Sequence, residues 1–168
     1  MRTISTGGMA AVGMVVALLA FSAPSDAERS ACALLPPEQV SAIVGSAVHV
    51  NAAESSKAES QLDVCVYRGQ DLTIRFSIHT SDSELAARSA FAQHVTEAFS
   101  RDTPDRLLRG VGAEARFGTV ERTRSGIVVA RYDTTVMVLV GPHDQSLLVA
   151  LARSAIAELS AAPHKADP

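Results

Sequence analysis

The chain has 168 residues, of which 47% are hydrophobic and 20% charged, and 15 basic against 18 acidic side chains leave a net charge of −3. That composition suits one domain with an apolar core and excludes both a disordered chain and a generally basic nucleic-acid binder, whose affinity would come from cations neutralising phosphates. Aromatic residues make up only 4%, with no Trp, so base-stacking platforms and aromatic cages have little to be built from.

Residues 1–27 read as an export signal. Arg2 and the amino terminus are positive, and the apolar run from Gly8 to Phe21 falls below spanning length. Ser25 and Ala27 place small residues at −3 and −1 of a cleavage site. Cleavage there starts the mature chain at Glu28; retention as an uncleaved anchor is the rival reading. A lipoprotein acylated at Cys32 does not fit, because Arg29 stands where an aliphatic residue belongs. The expectation is a soluble, exported protein, periplasmic or extracellular. Cys32 and Cys65 are the only cysteines, and an oxidising compartment favours pairing them. Two cysteines at this spacing are too few ligands for zinc.

The predicted elements follow in order. Leu34 to Gly45 is a helix, with Pro37 in its first turn, Glu38 at the positive end of the dipole and Gly45 as its left-handed stop. Ala47 to Val50 is a short strand, and Asn51 to Gln61, without large apolar residues, is a mobile loop. Asp63–Arg68 and Leu72–His79 form a hairpin around Gly69-Gln70, with Arg68 opposite Asp71. Alternation then puts Cys65, Tyr67, Leu72, Ile74, Phe76 and Ile78 on a core face. Val64, Val66, Arg68, Thr73, Arg75, Ser77 and His79 fall on the other. Ser81 and Glu84 make a capping box for a helix to about Phe99, with Leu85, Phe91, Ala92, Val95 and Phe99 as its apolar stripe. Ser100 to Gly112 is a charged connection. Ala113–Arg122, Ile127–Tyr132 and Thr135–Val140 form a meander turning at Ser125-Gly126 and Asp133-Thr134. Val136 to Val140 is apolar on both faces and therefore central, and Gly141-Pro142 ends it. A last helix spans about Asp144 to Ser160, and residues 161–168 are a disordered tail. The sum is one α+β domain over residues 28–160, ordered α-β-β-β-α-β-β-β-α, with a mainly antiparallel sheet.

Cys32-Ala33-Leu34-Leu35, the Pro-Glu helix start, Gly45, and Cys65-Val66-Tyr67 resemble small bacterial secreted proteins and lipoproteins of unknown function. Those open with Cys-x-Leu-Leu and carry a later Cys-x-Tyr. Their Gly-x-Gly-Asp-x-Ala segment is matched by Gly110-Val111-Gly112-Ala113-Glu114-Ala115. Pro36 replaces the usual Thr before the helix, and the lipid-bearing Cys is absent. The resemblance implies a PsbP-like α/β sandwich, whose relatives are mostly adaptors or assembly factors. It carries over no catalytic residue.

Arg75, Ser77 and His79 share a polar sheet face, and Ser77, His79 and Asp82 are the nearest approach to a hydrolase set. Yet Ser77 and His79 sit roughly 7 Å apart along one strand by strand rise, and Ser77 is on no sharp nucleophile turn. The five histidines, His49, His79, His94, His143 and His164, show no metal-binding spacing, so no metal or cofactor is expected. Gly110 and Gly112 precede a strand, not a helix, and read as turn glycines. Seven Arg between Arg101 and Arg131 stand against four acids, a local 7 − 4 = +3. Among them Arg116, Arg122, Arg124 and Arg131 are a candidate patch for an anionic partner. The expected function is an exported, non-catalytic binding or assembly module of the cell envelope, its partner a protein or an anionic envelope component. A small hydrolase around Ser77 and His79, or a small-ligand carrier, is the alternative.

Overall fold

The computed structural model describes residues 30–57, 62–99, 105–120 and 123–161; the signal segment, the tail beyond Ala161, Arg101 and Arg122 lie outside them. The polypeptide opens with a helical turn, α1 (Ala31–Leu34), capped by the Ser30 side chain, which accepts from the Ala33 N–H. Helix α2 (Pro37–Val44) begins after Pro36 and ends on Gly45 at φ 77°. The predicted first helix therefore starts at Pro37, and Cys32 rides on a separate turn, because two consecutive prolines cannot extend a helix backwards.

Strands β1 (His49–Val50) and β2 (Ser56–Lys57) both pair antiparallel with β3 (Leu62–Arg68), whose other edge holds β4 (Thr73–Thr80). The expected loop from Asn51 is thus a tied excursion between two strand pieces. Asn51 N–H donates to the Val66 carbonyl (2.8 Å), and Val66 N–H donates to Ser55 Oγ (3.0 Å). Polar side chains there take over ladder bonds that the backbone skips, a role that a count of apolar residues does not register.

In the β3–β4 hairpin Arg68 pairs with Thr73, so the turn is Gly69 to Leu72. The register is displaced by two residues from the expected one, with Cys65 opposite Phe76 and Tyr67 opposite Ile74. An even displacement preserves which side chains share a face. From β4 the chain enters α3 (Glu84–Ala98) and returns as β5 (Asp105–Leu107), β6 (Glu114–Val120), β7 (Ser125–Tyr132) and β8 (Thr135–Pro142), before α4 (Gln145–Ala161). β5 lies inside the segment expected to be a plain connection. The sheet order is β1-β3-β4-β8-β7-β6-β5, antiparallel throughout, so the α+β class and the central place of β8 are as expected.

Three boundaries differ from expectation. The N-cap of α3 is Ser83, not Ser81, because Ser81 N–H is committed to the Thr134 carbonyl (2.9 Å) and continues the strand direction. Ser125 and Gly126 are in β7, paired to Val120 and Thr119 on one side and to Pro142 and Gly141 on the other. Pro142 closes β8 from within, since a proline at a strand end still offers its carbonyl.

One sheet face, carrying Tyr67, Ile74, Phe76, Phe117, Val128 and Leu139, packs under α1, α2 and α4 through Leu35, Val40, Leu148 and Leu151. The opposite face packs Ile127, Val129 and Val136 under α3 through Ala87, Phe91 and Phe99. Leu85, expected in the α3 stripe, is 78% exposed. It lies two residues, roughly 200° of helix, from Ala87, which faces the sheet. Ala92 is likewise exposed. The Cys32–Cys65 disulfide, Cα–Cα 5.1 Å, fastens α1 to β3, and Tyr67 Oη donates to the Leu35 carbonyl beside it.

Candidate functional site

The Arg-rich segment divides on folding. Arg131 is 3% exposed on the α3 side of β7. Its guanidinium contacts Glu114 (3.0 Å) and Glu84 (3.5 Å) and donates to the Asp133 carbonyl (3.2 Å). It ties the start of α3 to β6 and β7, so it is no part of a partner-binding patch. Glu84 also holds Arg88 at 2.9 Å. The Arg88 hydrogen bond and charge, reinforced by Arg131, keep the Glu84 carboxyl below its ordinary range. Arg116 is engaged by Asp105 at 3.3 Å, and Arg124 stands exposed in the β6–β7 turn at φ 50°.

Arg106 behaves differently. Antiparallel pairing sets it opposite Phe117 on the face that carries α4, and its guanidinium carbon lies 5.1 Å from the Phe117 ring centroid. Arg106 is exposed whereas Phe117 is buried, so the ring forms the floor and the cation an exposed rim. These two residues, with Asp105, Gly118, Thr119 and His143, line a shallow depression of about 310 Å³ beside the β5 edge. Gly126 leaves room for that packing: a Cβ there would stand 2.8 Å from Leu148 Cδ1 and 3.2 Å from Phe117 Cε2. Because Asp105 is paired with Arg116, the rim charge of Arg106 is not cancelled by its neighbour. Arg106 lies in the basic run of the sequence and His143 far from it; their convergence depends on the short strand β5, which has no apolar alternation to reveal it.

The polar face of β4 carries Arg75, Ser77 and His79 in alternation, as expected. Ser77 Oγ donates to the Val138 carbonyl (3.4 Å), not to a base. His79 instead faces His94 of α3, with ring centroids 5.9 Å apart at an interplanar angle of 71°. Burial holds the His94 imidazole below its ordinary pKa, opposed by Glu97 and aided by His79. A Ser–His–acid relay is therefore not assembled on this face. Among the described residues no three His, Cys, Asp or Glu side chains converge as a metal centre. Gly110 and Gly112 adopt φ 70° and 60° on either side of buried Val111, which makes them turn glycines leading into β6. Among the described residues no helix is long and apolar enough to cross a membrane.

No protein-family model and no curated protein matches the chain. Among solved structures it is similar to the extracellular domain of PknH from Mycobacterium tuberculosis, with a TM-score of 0.52 at 10% identity, covering 82% of this chain and 98% of that one. At that identity the likeness is one of fold alone.

Proposed function

We propose that this protein is an exported, non-catalytic binding module of the cell envelope, and that its ligand is an anionic envelope component engaged at the Arg106–Phe117 depression. The observation that carries this reading is a guanidinium set above a buried aromatic ring and, among the described residues, without an acidic partner, with Thr119 and His143 at the same rim. An Arg fork offers paired donors to a carboxylate or phosphate, and the ring holds the fork in one orientation without occupying its N–H groups. The depression is open and shallow, which suits one segment of an extended polymer better than an enclosed small molecule. The disulfide and the resemblance of the fold to an extracellular domain support an exported setting, as does the signal-like segment at residues 1–27. Adaptor or assembly work of the kind implied by the PsbP-like resemblance is compatible with this, the anionic component then being the anchor.

The test is binding of the exported protein to acidic envelope glycans and anionic lipid vesicles, compared with uncharged counterparts, before and after Arg106→Ala. Selective binding to one acidic class, weakened about tenfold or more by Arg106→Ala with the melting midpoint unchanged, is expected. Equal binding to uncharged counterparts, or no effect of Arg106→Ala, would refute the assignment.

A further inference from the structure

We infer that His79 and His94 form a binding site for a borderline divalent cation of the Zn2+ or Cu2+ class, on the sheet face opposite the Arg106 depression. The two imidazoles come from different elements, β4 and α3, and are brought together only by the packing of the helix on the sheet. A metal–nitrogen bond of about 2.0–2.1 Å puts a metal about 3.2 Å from each ring centroid, so two imidazoles sharing one ion sit about 5–6.4 Å apart. The observed 5.9 Å lies inside that range. Behind His94 stands a carboxylate: Glu97 Oε2 is 3.6 Å from Nδ1, while its Oε1 accepts from Gln93 Nε2 at 2.8 Å. With a carboxylate on its Nδ1 side, His94 would ligate through Nε2, and Glu97, 3.6 Å from Nδ1 and so not hydrogen-bonded to it, would act as the positioning residue once that contact closes on the bound ion. The cross-strand neighbours of His79 are the apolar Leu62 and Val136, and the nearest cation in that row, Arg131 opposite Val136, is engaged by Glu84 and Glu114. Imidazole selects Zn2+ or Cu2+ over Ca2+ or Mg2+, and two protein ligands leave the remaining positions to water or to a donor on a partner, which makes the ion exchangeable. Sequence spacing conceals the site because its ligands lie on a strand and on a helix.

Isothermal titration of the exported protein with Zn2+ tests it, with Ca2+ as the control. Saturable one-to-one Zn2+ binding is expected, lost at least tenfold in His79→Ala and in His94→Ala, and weakened about tenfold in Glu97→Gln, which keeps both ligands. In the unsubstituted protein Zn2+ should shift the ring 15N resonances of His79 and His94 together, ahead of those of His49, His143 and His164. This readout holds even where a variant fails to fold. Absence of saturable binding, binding that survives both alanine substitutions, or shifts confined to the other histidines would overturn the assignment.

Discussion

Tyr67 shows how much one side chain does here. It is fully buried, its hydroxyl donates to the Leu35 carbonyl, and it sits beside the disulfide that holds α1. Burial, with the Asp63 charge second, pushes its ionisation well above the ordinary phenol value. An acid whose folded pKa is raised contributes stability that is intact below the unfolded value, about 10, and lost as pH climbs past it. Denaturant unfolding between pH 8 and 11 should therefore show falling stability above about pH 10. Tyr67→Phe should flatten that fall and cost about 1 kcal/mol at neutral pH, the worth of one hydrogen bond. Arg131 is the counterpart on the other face. Glu84 and Glu114 are 58% and 43% exposed and can return to water when it is removed. Arg131→Met should then cost about 1–3 kcal/mol, less than breaking a fully buried pair, and should raise hydrogen exchange most in the first turn of α3.

Between elements, close packing sets the tolerances. Gly126 of β7 lies where a Cβ would meet Leu148 of α4 and Phe117 of β6. Gly126→Ala should destabilise the domain by about 1–3 kcal/mol in chemical denaturation, and it should weaken anionic-ligand binding by moving the ring under Arg106. Gly112 is more constrained, at φ 60° with a virtual Cβ 2.4 Å from the Arg131 carbonyl oxygen. The disulfide joins α1 to β3 across a sequence separation of 33. Closing such a loop is worth about 3–4 kcal/mol in the chain-entropy model, so reduction should lower the denaturation midpoint accordingly. The displaced hairpin register belongs to this scale as well. Turn length is decided by how Gly69 to Leu72 close the loop, while the identity of the core face is decided by alternation, and only the former departs from expectation.

Across the whole molecule, the two faces of the sheet are put to different uses. One is sealed by α1, α2 and α4 and offers the depression at its β5 margin; the other is covered by α3 and carries the histidine pair. If the depression takes an acidic polymer through Arg106, raising ionic strength from 50 to 500 mM should weaken binding severalfold, because exposed charge pairs are screened over a Debye length of about 10 Å at 0.1 M. Affinity measured across that salt series checks it, and an unchanged affinity would point to an apolar contact instead.

The sequence by itself determined the α+β class, the cysteine pair, both long helices, the core face of the β3–β4 hairpin and the buried β8. Each is written in local periodicity, in turn chemistry or in the count of a reactive residue, so no distant partner is needed to read it. Tertiary structure alone decided that Arg131 is an internal clamp, that Arg106 is an exposed cation above Phe117, and that His79 meets His94. Burial and pairing of a charge depend on what lies across the sheet, and β2 and β5 exist because a neighbouring edge supplies hydrogen bonds to segments with no apolar pattern of their own.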